Sequence, residues 1–276
     1  MGINVLVQAV QIGAYAARLA GVITGRIATS ISLFNLFVTA SRLATLVYTI
    51  MLGPLSDHAG HAVSTFAAQG NQEAIVATQH VFEWQLRLII FSGTLGVIAG
   101  AFLLPMFTYM FERGVRSFER TKSLPHSFMR LADPAVMLRI LQRVRMPRPG
   151  ELHSFSLRGI PRRLLIANVV VTGVYAIGVV AAYYASVLDI TVARTAIGIS
   201  GVINGIGTVA FTFFVDPTSS IIVDEAVKGE RPVDEVKSMV FYLSVTALAG
   251  WILSQFILWP GAELIRFVAH LVYHGR

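Results

Sequence analysis

Arg42 stands near the middle of SLFNLFVTASRLATLVY, Ser32 to Tyr48, a stretch otherwise suited to lipid, and Arg18 stands in a second apolar stretch, Ile3–Ile23. A guanidinium keeps its proton at any physiological pH, its pKa lying above about 12. At a helix centre in a bilayer it costs roughly 2.5–3.5 kcal/mol on insertion scales, so a partner or a wet cavity must receive it. The neighbours favour a cavity. With 3.6 residues per turn, Ser32, Asn35, Thr39, Arg42 and Thr49 fall on one arc of their helix, and Asn4, Gln8, Gln11, Tyr15 and Arg18 stack on one face of the other. Neither stretch contains an Asp or Glu. Two polar stripes, each with a forked cationic donor, suit a phosphate-bearing anion moving through a hydrophilic groove. The competing reading pairs the arginines with Glu83, Asp189 or Asp216 and leaves them a helix-packing role.

At 1.5 Å per residue, Arg18 lies about 10 Å from the end of its span and Arg42 about 22 Å along the returning one. A phosphate could therefore pass from one height to the other, with Asn35 between them to hydrogen-bond a sugar or phosphate. The candidate substrate contacts are Arg18, Arg26, Arg42, Gln11, Ser32, Asn35 and Thr39. Asp216, Asp189 and Glu83 are candidate gating or proton-coupling groups, each with an ordinary alternative as a helix-end charge. Asp57, His58 and His61 read as solvated side chains rather than a metal site, and no cofactor is implied.

These residues need a membrane scaffold. Of 276 residues, 55% are hydrophobic and 13% charged, which places the chain among all-α integral membrane proteins. It has no cysteine, so disulfide and thiolate chemistry are excluded. Six stretches have the roughly 20 apolar residues a spanning helix needs: Ile3–Ile23, Ile27–Leu52, Trp84–Phe111, Leu164–Leu188, Thr191–Val215 and Ser238–Trp259. Glycines at 93, 96 and 100 and at 198, 201, 205 and 207 allow close helix packing in the third and fifth spans. Pro105 predicts a kink in the third.

Residues 112–163 hold 12 of the 22 Lys and Arg, and Gly53–Glu83 holds none. The positive-inside rule makes the basic loop cytoplasmic and puts both termini outside. Three units follow: a first three-helix half, 1–111; the loop, 112–163; and a second half, 164–276. Each half has a span, a short connection, a second span ending at proline (Pro54, Pro217), a polar segment and a third span. Arg26–Ser32 also matches Arg194–Ser200 at four of seven positions. This plan predicts an inverted three-plus-three repeat, which is a transporter architecture. Inside the loop, Met137, Ile140, Leu141 and Val144 at helical spacing beside Arg139 and Arg143 predict a basic amphipathic helix on the inner leaflet, near anionic lipids. The net charge of +7 does not imply nucleic acid, because the basic residues alternate with apolar ones and form no recognition module.

No nucleophile elbow, zinc-protease motif or phosphate-binding loop occurs, so transport is favoured over catalysis. Two other classes stay open: a transporter of a small anionic solute or drug, and a membrane scaffold. Ala17-Arg18-Leu19-Ala20-Gly21, Thr24-Gly25-Arg26-Ile27-Ala28, Ser32-Leu33-Phe34-Asn35 and Ser41-Arg42 resemble the N-terminal signature of the Amj family, the alternative lipid II flippases of bacteria. Asp216-Pro217-Thr-Ser219, Asp224 and Gly229-x-Arg231 resemble that family's second-half pattern. The resemblance implies a protein of the bacterial cytoplasmic membrane that moves the undecaprenyl-pyrophosphate-linked disaccharide pentapeptide, lipid II, from the inner to the outer leaflet. Six spans are a small body for so large a head group, which motivates a homodimer as a further expectation.

Overall fold

In lipid, a chain must satisfy its backbone hydrogen bonds within itself, and apolar runs of this length do so as helices. The structure is a computed structural model; it describes residues 1–122, 134–142, 144 and 154–274, without the side chains at 42, 136, 137, 140, 141 and 274. Among the described residues there is no strand. In chain order the helices are α1 (Gly2–Ala14), α2 (Ala16–Thr24), α3 (Ile27–Ala68), α4 (Gln72–Phe102), α5 (Leu104–Thr121), α6 (Pro134–Leu141), α7 (Arg162–Leu188), α8 (Ala193–Ala210), α9 (Asp216–Val227) and α10 (Val233–His274). A π-turn, Phe211–Val215, joins α8 to α9. Six helical stretches are long and apolar enough to span a membrane. Helix α6 covers the start of the expected amphipathic segment; the apolar side chains at 137, 140 and 141 lie outside the described residues, as does Arg143.

Several expected boundaries are corrected. Helix α3 runs through Pro54 for 42 residues and α10 runs through Pro260 for 42 residues, so neither ends at its proline. A proline removes one backbone hydrogen bond and bends the helix. Packing holds these turns, because Leu52 and Ser56 are buried on either side of Pro54, and Leu258 and Ala262 on either side of Pro260. The expected polar segment 53–83 is therefore a helical hairpin, turning at Gly70 and Asn71, whose side chain caps α4 by accepting from the Ala74 N–H at 3.0 Å. The fifth span also passes its proline. Pro217 has no N–H for the carbonyl four residues back, and the π-turn shifts the ladder past that gap. The third span does break, at Leu103, just before Pro105 in the first turn of α5.

One packing device occurs twice. In the first half, the Asn4 amide on α1 donates to Ile89 O at 2.9 Å and Ser92 Oγ at 3.1 Å on α4. In the second half, the Asn168 amide on α7 donates to Leu243 O at 2.9 Å and Thr246 Oγ1 at 2.9 Å on α10. Four residues past each hydroxyl stands a glycine. Gly96 lies against Val5 O and Gln8 Cβ, and Gly250 lies against Val169 O and Thr172 Cβ, leaving no room for a side chain at either. The α1/α4 and α7/α10 pairs are thus locked by the same contacts, and α10 joins them by packing on α4. Trp251 does this by lying over Gly93.

Helices α3 and α8 flank this centre. Leu43, Leu46, Val47, Ile50 and Met51 on α3, and Val202, Ile206 and Val209 on α8, are exposed, as helix faces turned to lipid would be. Helix α5 ends and α7 begins at one end of the bundle, here the basic end, and the α3–α4 hairpin projects from the other.

Candidate functional site

A cavity of about 490 Å³ lies between α3 and α8. Its back wall is Gln8, Gln11, Ile12 and Tyr15 of α1 and its continuation, with Val171, Thr172 and Tyr175 of α7 and Trp251 of α10. Its sides are Phe34, Asn35, Val38 and Thr39 of α3, and Thr208, Phe211, Thr212 and Asp216 across from them. Helices α3 and α8 form no packed interface, and Asn35, Thr39 and Thr212 are exposed although they line the cavity, so it opens sideways between those two helices. A smaller space of about 30 Å³ continues it away from the basic end, past Thr45, Tyr48, Val179 and Asn204.

The floor, toward the basic end, is an ion pair. The first span tightens between α1 and α2, where Tyr15 N–H bonds Ile12 O and Arg18 N–H bonds Tyr15 O at three-residue spacing. Both side chains of that turn serve the site. Arg18 is 8% exposed, and its Nη2 donates to Asp216 Oδ1 at 2.5 Å. Its Nη1 is buried without a hydrogen-bond partner. The guanidinium also sits 5.6 Å from the Tyr15 ring centre and 5.4 Å from that of Phe34, within cation–π range. Tyr15 donates to Asn168 Oδ1 at 3.3 Å, which ties the floor to the α7/α10 pair. Burying half a guanidinium fork unsatisfied is costly, and an anion reaching Nη1 would remove that cost.

The expected residues divide. Gln11, Asn35 and Thr39 line the cavity together with Asp216, and Arg18 lies behind that wall, paired with Asp216, without lining the cavity itself. Arg26 does not reach it; it stands just before the first residue of α3 at the basic end, exposed and paired with Glu119. Ser32 is exposed and donates to Ala28 O at 3.0 Å. The backbone of Arg42 runs within α3, and its side chain lies outside the described residues. Glu83 is held away from the cavity by Arg87 at 2.6 Å and the Tyr184 hydroxyl at 2.9 Å. Asp189 ends α7, accepting from the Thr191 N–H at 3.0 Å and hydroxyl at 2.6 Å and lying 2.8 Å from His270 Nε2. Among the described residues, no three His, Cys, Asp or Glu side chains are grouped as metal ligands.

Tyr175, Thr172 and Trp251 were not foreseen from sequence. Thr208, Thr212 and Asp216 did carry a signal, stepping by four along the fifth span as the polar residues of the second span do. The Gly229–Arg231 element has a local explanation: Gly229 has φ +78°, and Arg231 bridges Glu225 at 2.8 Å and Glu235 at 2.6 Å while donating to Gly159 O at 2.8 Å. It clamps the turn between α9 and α10.

The chain is 34% identical to the lipid II flippase Amj of Bacillus subtilis (strain 168) over 264 residues, which cover 95% of this chain and 93% of that protein. No solved structure matches it. The family described as "Alternate to MurJ", Amj, matches residues 3–269, and the chain belongs to that family.

Proposed function

We propose that this protein is a lipid II flippase of the bacterial cytoplasmic membrane, a transporter rather than an enzyme. The observation that carries the reading is the half-satisfied Arg18, which lies behind the Asp216 and Tyr15 wall of a laterally open cavity lined by both polar and apolar side chains. The basic end faces the cytoplasm by the positive-inside rule, which puts both termini outside. Arg26 and the basic helix α6 gather the anionic head group at the inner leaflet. The pyrophosphate then takes Arg18 Nη1 and displaces Asp216, while Gln11, Asn35 and Thr39 bond the sugars and Arg42, three residues past Thr39, receives the phosphate at greater depth. The polyprenyl chain stays in lipid throughout, passing through the opening between α3 and α8. Asp216 is the gating group; Asp189 holds the end of α7 in place, and Glu83, within α4, joins that helix to α7 through Tyr184.

The inverted repeat of 1–111 and 164–276 is supported by the duplicated asparagine and glycine contacts, and by Arg26 and Arg194 each standing at the start of the corresponding second span of its half. The test is rescue of a bacterium depleted of its main lipid II flippase. Wild-type protein restores growth and outer-leaflet lipid II, and an Arg18→Ala protein of equal abundance does not. Failure of the wild type, or rescue by Arg18→Ala, rejects the reading.

A further inference from the structure

The cavity is closed at its other end too, by a contact to which neither spacing nor resemblance gave a role. Ser56 of α3 and Ser186 of α7 are 4% and 3% exposed, with their hydroxyl oxygens 3.0 Å apart. Ser186 spends its proton on Tyr183 O at 2.7 Å, so Ser56 is the donor between them. One turn nearer the cavity, the Tyr183 hydroxyl donates to Thr49 O at 3.3 Å. The small space beyond the main cavity ends just below this point, at Val179 and Tyr48.

This closure is the counterpart of the Arg18–Asp216 floor. The floor joins the first span of the first half to the second span of the second half; the far closure joins the first span of the second half to the second span of the first. Arg18 lies 14 residues after Asn4, and Tyr183 lies 15 after Asn168, the two asparagines being the matched anchors of the repeat. Asp216 immediately precedes Pro217, and Ser56 lies two residues past Pro54. Each closure thus joins a locked helix pair to a flanking helix beside its proline. Proline turns lack one backbone bond and bend more readily than the rest of a helix.

We infer that Ser56, Ser186, Tyr183 and Thr49 form the exit gate, which parts to release the head group at the outer leaflet while Arg18 and Asp216 close behind it. The inference rests on the flippase reading. A gate made of three neutral hydroxyls and a carbonyl opens by breaking two hydrogen bonds between neutral groups, weaker than any that involve an ion. It also gives a departing pyrophosphate no cation to linger on.

Because the chain has no cysteine, a Ser56→Cys/Ser186→Cys protein carries only the introduced pair. In proteoliposomes with lipid II, the reduced protein is expected to flip within about twofold of wild type. Oxidation should cross-link it and reduce flipping at least tenfold, and reductant should restore it. A fully cross-linked protein that flips at the reduced rate overturns the gate, as does a pair that does not cross-link. Should the double variant not fold, Ser56→Cys alone decides the matter by labelling with a membrane-impermeant maleimide, expected to rise severalfold when lipid II is supplied. Labelling unchanged by lipid II, while wild type flips, overturns the inference. Wild type that does not flip at all removes the flippase reading and the gate with it.

Discussion

Each end of the cavity is closed by a side-chain contact between two spans, Arg18 to Asp216 at one end and Ser56 to Ser186 at the other, and the two ends differ in chemistry. One is an arginine–aspartate pair with a spare donor; the other is a ladder of hydroxyls with each proton accounted for. Matched architecture therefore does not require matched affinity. An anion should be held where the cation is and released where the closure offers none, and that asymmetry would give transport a direction.

The largest effect is expected at the charged end. Arg18→Gln should reduce lipid II flipping by at least tenfold and also make the protein scarcer, because Asp216 loses its ion pair with Arg18. Removing one member of a buried pair typically costs about 3–5 kcal/mol. Since the Asp216 side chain is 34% exposed, the lower end of that range applies. Adding Asp216→Asn should restore abundance on immunoblots without restoring flipping, which separates the structural contribution of the pair from its use. Arg18→Lys should recover flipping only in part, for an ammonium keeps the charge and loses the two-point grip.

The duplicated packing is tested next. Gly96→Ala and Gly250→Ala each press a methyl onto a backbone carbonyl of the partner helix, so both should lower the thermal midpoint in detergent by similar amounts, an overpacking penalty of about 1–3 kcal/mol. Gly201→Ala meets nothing within 4 Å and should be neutral or slightly stabilising. Unequal losses at 96 and 250 would break the equivalence of the halves. At the neutral gate, Ser56→Ala should cost no more than about 1 kcal/mol and leave flipping within a few-fold of wild type.

The smallest effect is a pH dependence at Asp189. Burial raises its carboxyl pKa, but hydrogen bonds from Thr191 and His270 outweigh this and hold it below the usual range. A depressed carboxylate stabilises the fold fully above its unfolded value of about 3.9 and ceases to as pH falls through the lower folded value. Asp189→Asn should therefore lower the thermal midpoint slightly at pH 7, and the difference from wild type should close below about pH 4.

The six spans and the polar stripe of the second one were legible in sequence, because hydropathy and the 3.6-residue period report local facts. Helix lengths were not, since whether Pro54 or Pro260 ends a helix depends on what packs beside it. The stripe on the first span was legible as a face but not as two roles: Asn4 is spent on locking α1 to α4, whereas Gln11 and Tyr15 face the cavity. The partner of Arg18 is 198 residues away, and spacing offered Glu83, Asp189 and Asp216 on equal terms. Ser56 and Ser186 carried no signal, because serines are common in such helices and only their meeting gives them meaning.

Helix α3 connects places that are otherwise far apart. It carries Asn35 and Thr39 at the cavity wall, Ser56 at the far closure, and a tip at Ala68 that ends about 20 Å beyond Pro54. Over its 42 residues, about 63 Å, a tilt of roughly 10° at the basic end would sweep the tip through about 11 Å. The hairpin would then act as a lever: a paramagnetic label beside Gly70 should register gate opening as an enlarged displacement. A binder that clamps the hairpin tip would hold the gate shut without reaching the cavity.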